Sequence, residues 1–373
     1  MRLTQYASLQ VLRAVAAISV VCHHVLRAVT IKLPKEFPNL DIPVPAVLQH
    51  PRLIELGSFG VDLFFVLSGF LMVYISEPYR TGRQTIGHFI VHRIIRIWPL
   101  YVLATLAALA PSIMNAAHSG TRVYDLQDFR LLGLVFVPSF DTQGLLQPIL
   151  GVGWTLQYEA LFYLCFAVTL LFLRQYLLLG LTGLLTVLYL FGSALPSTSV
   201  AGAFLSNGII FEFLYGAAIA STLLSGRTIP QKYGVVALTV GVVALFACVG
   251  VSDESPYRLF ARGIPAALML IGMISLERAV AWPTVLLRLG DASYSIYLVQ
   301  ILVIYRIVRR VLMPTSEWGL GGGVLLAVVI AIIGTVLAGV LVRYCIEVPL
   351  LARCHAAYRQ LRSRRTAAQV EKV

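Results

Sequence analysis

Apolar residues in this chain run in long, nearly unbroken stretches, without the polar return every three or four positions that marks a half-buried soluble helix. About 20 consecutive apolar residues span a bilayer as a helix. Ten segments reach or approach that length: 8–29, 57–76, 94–112, 152–173, 176–192, 207–224, 233–251, 258–277, 290–312 and 322–345. The pattern predicts an all-α integral membrane protein, a polytopic bundle of about ten transmembrane helices. A transmembrane domain over 1–350 is followed by a basic cytoplasmic tail over 351–373, which reads as a surface-lying helix.

Ionisable residues inside such segments are expensive and face a bundle interior or a water-filled cavity. The first segment carries Arg13 and His24, eleven residues apart. That spacing puts both on one helix face, about 16 Å apart along the axis, with His23 roughly 100° away. A snorkelling arginine and a histidine bonded to a neighbouring helix would look the same. Arg93 and Arg96 share a face at the cytoplasmic mouth of the third segment, where Pro99 is expected to bend the helix. Two arginines there suit phosphate recognition, or an ordinary positive flank. Glu159, counted from the outer edge of the fourth segment, falls at the depth of His24. A carboxylate and an imidazole at one depth suit a base and its orienting partner, a proton relay or a static pair. Asp62 and Glu212 are further candidates for buried carboxylates. Ser68-Gly69 reads as helix packing. Segments seven and eight read as scaffold, and Trp154, Tyr163, Ser293, Tyr294, Tyr297 and Gln300 as packing residues. Glu347 and Pro349 fall at the inner surface, and the proline-rich stretch 31–51 reads as an extended outer loop.

Of the 373 residues, 58% are hydrophobic and 12% charged, with mean hydropathy +0.84. A soluble domain carries about twice that charge. Lys and Arg concentrate in the loops that are inside if the N-terminus is inside, so both termini are expected in the cytoplasm. Arg306, Arg309 and Arg310, at the outer end of the ninth segment, break the rule. The net charge of +12 belongs mostly to the cytoplasmic membrane surface. No soluble basic domain is available for nucleic acid. The five cysteines make no CxxC pair and read as apolar fillers, and no metal site is expected. The N-terminal stretch lacks a small-residue cleavage site and reads as a retained span.

Six motifs stand in order: Arg13-x10-His24, FFVLSGF at 64–70, RIIRIWPLY at 93–101, GVGWTLQYEALFY at 151–163, LGDASYSIYL at 289–298 and IEVP at 346–349. Together they resemble the membrane acyltransferase-3 family over nearly the whole chain, and most closely its stand-alone exopolysaccharide and Nod-factor O-acetyltransferases. The resemblance implies transfer of an acetyl or similar short acyl group from acyl-CoA to a hydroxyl of a cell-envelope or exported polysaccharide or glycolipid. It implies an inner (plasma) membrane enzyme with acetyl-CoA as donor substrate and no permanently bound cofactor. It makes Arg13 and His24 essential to transfer, Arg93 and Arg96 contacts for the donor, and Glu159 an active-site acid, read as orienting His24. Gln300 departs from related sequences, which often have histidine there, so a titrating role at that position is in doubt. No hydrolase-like domain is expected after the last span, so acyl would pass directly to its acceptor or to a separate protein. The rival reading is a secondary transporter or flippase for a glycan or anionic solute, with the ionisable groups as a proton relay.

Overall fold

The computed structural model describes residues 6–37, 44–119, 129–141, 143–251, 255, 257–316 and 322–370. Among these the fold is all helix, with one isolated bridge between Phe140 and Leu146. The principal helices are α1 (Ala7–Arg27), α2 (Gly60–Tyr74), α3 (Ile86–Ser119), α4 (Trp154–Phe172), α5 (Leu177–Ser193) and α6 (Glu212–Leu224). They continue with α7 (Gln231–Ala247), α8 (Ile264–Ser275), α9 (Thr284–Ser316), α10 (Gly322–Val342) and α11 (Val348–Val370). Among the described residues six helical stretches are long and apolar enough to cross a membrane, and three shorter apolar ones lie between residues 208 and 275.

The helix at the centre is α1. Its first free backbone N–H groups, at Ala7 and Ser8, donate to the two carboxylate oxygens of Glu277 at 2.7 and 2.8 Å. A carboxylate at a helix N-terminus satisfies donors that have no partner within the helix and meets the positive end of its dipole. From there α1 runs antiparallel to α2. Tyr6 packs edge-on against Phe70 and Tyr74, while Gly60 abuts Ala16 and Val20. It runs parallel to α9, with Gly290 against Gln10 at one end and Lys32 over the Tyr305 ring at the other.

Lipid tails are as apolar as leucine, so helix association in a membrane depends on close packing rather than on water exclusion. The crossing of α2 and α6 shows how the sequence arranges this. A Cβ at Gly216 would lie 1.8 Å from the Val66 carbonyl oxygen, and one at Gly69 1.9 Å from that of Phe213. Each helix has a bare backbone where the other needs space. Around the crossing, Phe213 stacks on Phe162 of α4 at 4.2 Å and meets Phe65 at 4.8 Å. A second apolar cluster joins the far half of α1 to α9 and α10.

Several elements differ from the sequence expectations. The stretch 31–51 is not simply extended: α1 passes through a π-helical turn at Ala28–Lys32 into Leu33–Glu36, and a helix covers Pro51–Leu56. The third helix starts eight residues before its apolar window and runs through Pro99 unbroken. The tail is a continuation of α10, joined by a π-helical turn at Arg343–Glu347. It packs on the start of α3. Segments seven and eight are not plain scaffold. At the entry to α8, Arg258 is buried and pairs with Asp62 (3.0 Å), with Glu212 4.0 Å away. Buried Arg262 donates to Ser58 Oγ and the Val251 carbonyl. Asp62 and Glu212 are thus the anionic side of a buried ion-pair cluster.

Candidate active site

A cavity of about 130 Å³ opens between α1, α2, α3, α4 and α9. Its polar wall consists of Arg13, Ser68, Arg93, Arg96, Thr155, Glu159, Tyr163, Ser293, Tyr294 and Tyr297. Four of the five residues singled out from the sequence therefore meet in one place. The fifth, His24, lies elsewhere.

The two arginines of α3 are not equivalent. Arg96 pairs with the fully buried Glu347, which also accepts from Arg343 at 2.6 Å and from Ser295. Its guanidinium lies 5.1 Å from the Tyr294 ring centroid. Tyr294 is fixed in turn by donating to the Ile97 carbonyl at 2.6 Å. Arg93 has no carboxylate partner among the described residues. Its guanidinium sits about 6 Å from the Phe89 and Tyr163 rings, one terminal nitrogen faces the Met72 sulfur, and its buried Nε has no acceptor. Arg13, across the cavity, has no carboxylate within ion-pair distance among the described residues, although Asp291 and Glu347 lie close enough to act on its charge. Arg13 and Arg93 are both half-buried, and their guanidinium groups give this part of the cavity wall a cationic character.

Glu159 is the one carboxylate on the wall. Its Oε1 accepts from Ser68 at 3.0 Å and from Tyr163, one turn further along α4. The expected contact between Glu159 and His24 is absent. The depth estimate placed the first residue of the fourth segment at the outer edge. In the structure Trp154 packs on Phe65, and Gly57, eight residues earlier on that strand of chain, abuts Ser19 and His23. Helix α4 therefore starts about 12 Å deeper than assumed, because the segment before it folds inward: Gly153 abuts Tyr101, and Gln157 donates to the Val137 carbonyl.

His24 stands about 16 Å from Arg13 along α1. Its Nδ1 lies 2.9 Å from the Val20 carbonyl oxygen. A carbonyl only accepts, so Nδ1 carries the proton and Nε2 keeps its lone pair. The backbone of its own helix, rather than Glu159, sets the tautomer. His23 is held differently, with Nδ1 2.6 Å from the Ile54 carbonyl, and stands edge-on to His24.

Sequence reasoning passed over Tyr163, Ser293, Tyr294 and Tyr297 as packing residues, yet all four line the cavity. Trp154 does pack, between Phe65 and Tyr158. Gln300 is buried one turn beyond Tyr297, to whose carbonyl it donates, and does not reach the cavity. The place of Glu347 had a signal in the chain: Arg343 and Glu347 form an i,i+4 pair at the end of an apolar run. No group of three or more His, Cys, Asp or Glu among the described residues is placed to hold a metal ion.

A bundle of long apolar helices that encloses a cavity lined by arginines defines a polytopic membrane protein. Residues 6–344 match the family model described as an acyltransferase domain, and the chain belongs to the acyltransferase-3 family. It is 33% identical to the exopolysaccharide production protein ExoZ of Rhizobium meliloti over 309 residues, 81% of this chain and 92% of ExoZ. It is 26% identical to the acyltransferase MdmB of Streptomyces mycarofaciens over 375 residues, covering 91% of this chain and 90% of MdmB. No solved structure matches. The chain is thus a membrane O-acyltransferase, and the transporter reading gives way to an enzyme.

Proposed function

We propose that this enzyme moves an acetyl or similar short acyl group from acyl-CoA to a hydroxyl of an exported or cell-envelope polysaccharide or glycolipid. The observation that carries the donor half is the pair of guanidinium groups, Arg13 and Arg93, that face one cavity with no carboxylate in ion-pair contact. The phosphates of CoA are the anions they await, with Arg96 beside them, and arginine's planar fork suits phosphate oxygens. The kinship with ExoZ supports a polysaccharide acceptor. The ten helical segments would all be membrane-embedded in an inner (plasma) membrane, with both termini in the cytoplasm, so that CoA enters from the arginine side.

The pantetheine arm then extends from the cavity along α1 towards His24. There Nε2, with its lone pair free, takes the proton of the sugar hydroxyl as the oxygen attacks the thioester carbonyl. The C–S bond breaks, the acyl–oxygen bond forms, and the imidazolium returns its proton to the leaving thiolate. If the imidazole instead accepts the acyl group first, the same atom serves as nucleophile. Glu159 tempers the positive charge of the cavity and aligns Ser68 and Tyr163.

The test is donor binding. Arg93→Gln should weaken CoA binding by about 10–100-fold, the loss expected for hydrogen bonds from a charged group. Unchanged affinity would move the phosphate site elsewhere.

A further inference from the structure

Three of the chain's seven histidines gather outside the cavity, on the seam between α3 and α11. On α3, His88, His92 and Arg96 follow one another at four-residue intervals and form a single stripe. The facing stripe comprises Glu347, His355, Tyr358 and Arg362. The two meet in antiparallel order: Arg96 on Glu347, His92 on His355 with ring centroids 4.9 Å apart, and His88 near Tyr358 at 6.0 Å. His88 and His92 are themselves 4.1 Å apart, and Tyr79 reaches His88 Nδ1 at 3.2 Å. All five rings are buried or half-buried, whereas Arg359 and Arg362 are exposed.

The charge of this seam is one-sided. Neither α3 nor α11 contains an aspartate or glutamate, and α11 carries five arginines. On these two helices imidazole rings stand beside guanidinium groups. They offer π-faces and N–H donors to a ligand that has both a flat ring and negative charge. A metal does not fit, because no three such side chains among the described residues converge on one point. The position is also directed: from His88 to Arg96 is about 12 Å along α3, and Arg93, adjacent to His92, points its guanidinium into the cavity.

We infer that the seam formed by His88, His92, His355 and Tyr358 is the docking site for the adenine and phosphate end of the donor nucleotide. This rests on the reading of acyl-CoA as donor. Adenine lies against the imidazole and phenol rings, the 3′-phosphate meets Arg359, and the diphosphate continues past His92 to Arg93. The donor is then threaded with its thioester end leading into the cavity.

The experiment uses the full-length protein in nanodiscs and measures calorimetric affinities for CoA, adenosine 3′,5′-bisphosphate and inorganic pyrophosphate. Base–aromatic stacking and phosphate contacts of this kind predict a loss of about tenfold for CoA and the bisphosphate in His355→Ala and Tyr358→Ala. His355→Phe, which keeps a ring in place and the seam packed, should stay within about threefold of wild type. The bisphosphate should outbind pyrophosphate by at least tenfold, equally in phosphatidylcholine and phosphatidylglycerol discs. In transfer assays, kcat/KM should fall about tenfold more for acetyl-CoA than for acetyl-pantetheine, which lacks the nucleotide. Wild-type CoA affinity retained in both alanine variants overturns the inference and leaves the donor reading intact. So does pyrophosphate binding as well as the bisphosphate, or phosphatidylglycerol abolishing the difference, since the seam would then be a plain anion or lipid-headgroup site. A wild-type protein that binds neither CoA nor the bisphosphate overturns the donor reading itself.

Discussion

Removing Glu347 should damage the protein through the arginines it leaves behind. Its side chain is fully buried and accepts from Arg96, Arg343 and Ser295. In Glu347→Ala two guanidinium groups lose their shared counter-charge at once. Breaking a buried pair from one side costs about 3–5 kcal/mol. The side chains of Arg96 and Arg343 remain 30% and 21% exposed. Neither is fully buried, and the lower end, about 3 kcal/mol, is the expected loss. Glu347→Gln keeps the shape and exchanges charged for neutral acceptors, at about 1 kcal/mol for each arginine and about 2 kcal/mol in all. Arg96→Ala on the wild-type background removes one of the two arginines paired with Glu347 and leaves Arg343 in place. Combined with Glu347→Ala it should cost less than the sum of the two single changes, with a coupling of about 1–3 kcal/mol. Reversible unfolding in mixed detergent micelles, monitored by tryptophan fluorescence, measures all four proteins. Additive losses would show that Arg96 and Glu347 do not act as a unit. They would also remove the reason for treating Arg93, rather than Arg96, as the available cation.

Other consequences follow from particular contacts. Glu277→Ala removes the acceptor for the first two N–H groups of α1. It should cost about 1–2 kcal/mol, read as faster hydrogen exchange at Ala7 and Ser8, and unchanged exchange there would discount the cap. Because Glu159 is held by Ser68 and Tyr163, Glu159→Gln should leave the acidic limb of the pH–rate profile where it is. Its loss should add to that of His24→Ala, whereas a shifted limb would restore a direct contact between the two. Single cysteines at the exposed positions Gly82 and Ser363 should react only with membrane-permeant thiol reagents, and one at Val47 with impermeant ones. Labelling of position 82 from outside would invert the topology and detach the arginines from the cytoplasmic donor.

The helices were legible in the chain because a membrane demands long apolar runs, and each of the ten predicted segments overlaps one of the helices. Their ends were less so. The start of α3 is built from His88, His92 and Arg93, too polar for an apolar window, and its place is set by packing on α11. Of the site, Arg13, Arg93, Arg96 and Glu159 could be picked out because charge inside an apolar run needs an explanation. What helix periodicity cannot supply is the relative depth of two helices. That depends on the connecting segment before α4 folding in against Tyr101, and so the pairing of Glu159 with His24 failed while the grouping with Arg13 emerged. Tyr163 and Tyr294 were hidden for another reason. An aromatic ring in a span is ordinary, and only its hydrogen bonds to Glu159 and Ile97 mark it as part of the site. Arg258 and Arg262 lay at the edge of a window, although Asp62 and Glu212, two carboxylates within apolar spans, already called for cations.

The most direct test of acyl transfer from CoA is to supply purified protein in liposomes with radiolabelled acetyl-CoA and a lipid-linked oligosaccharide. The account predicts label on a sugar hydroxyl, released by mild alkali as an ester. It predicts loss of that label in His24→Ala with CoA affinity retained, and a raised donor KM in Arg93→Gln. Retention of full transfer by His24→Ala, or tight CoA binding with no label on any saccharide and no hydrolysis of the thioester, would contradict it.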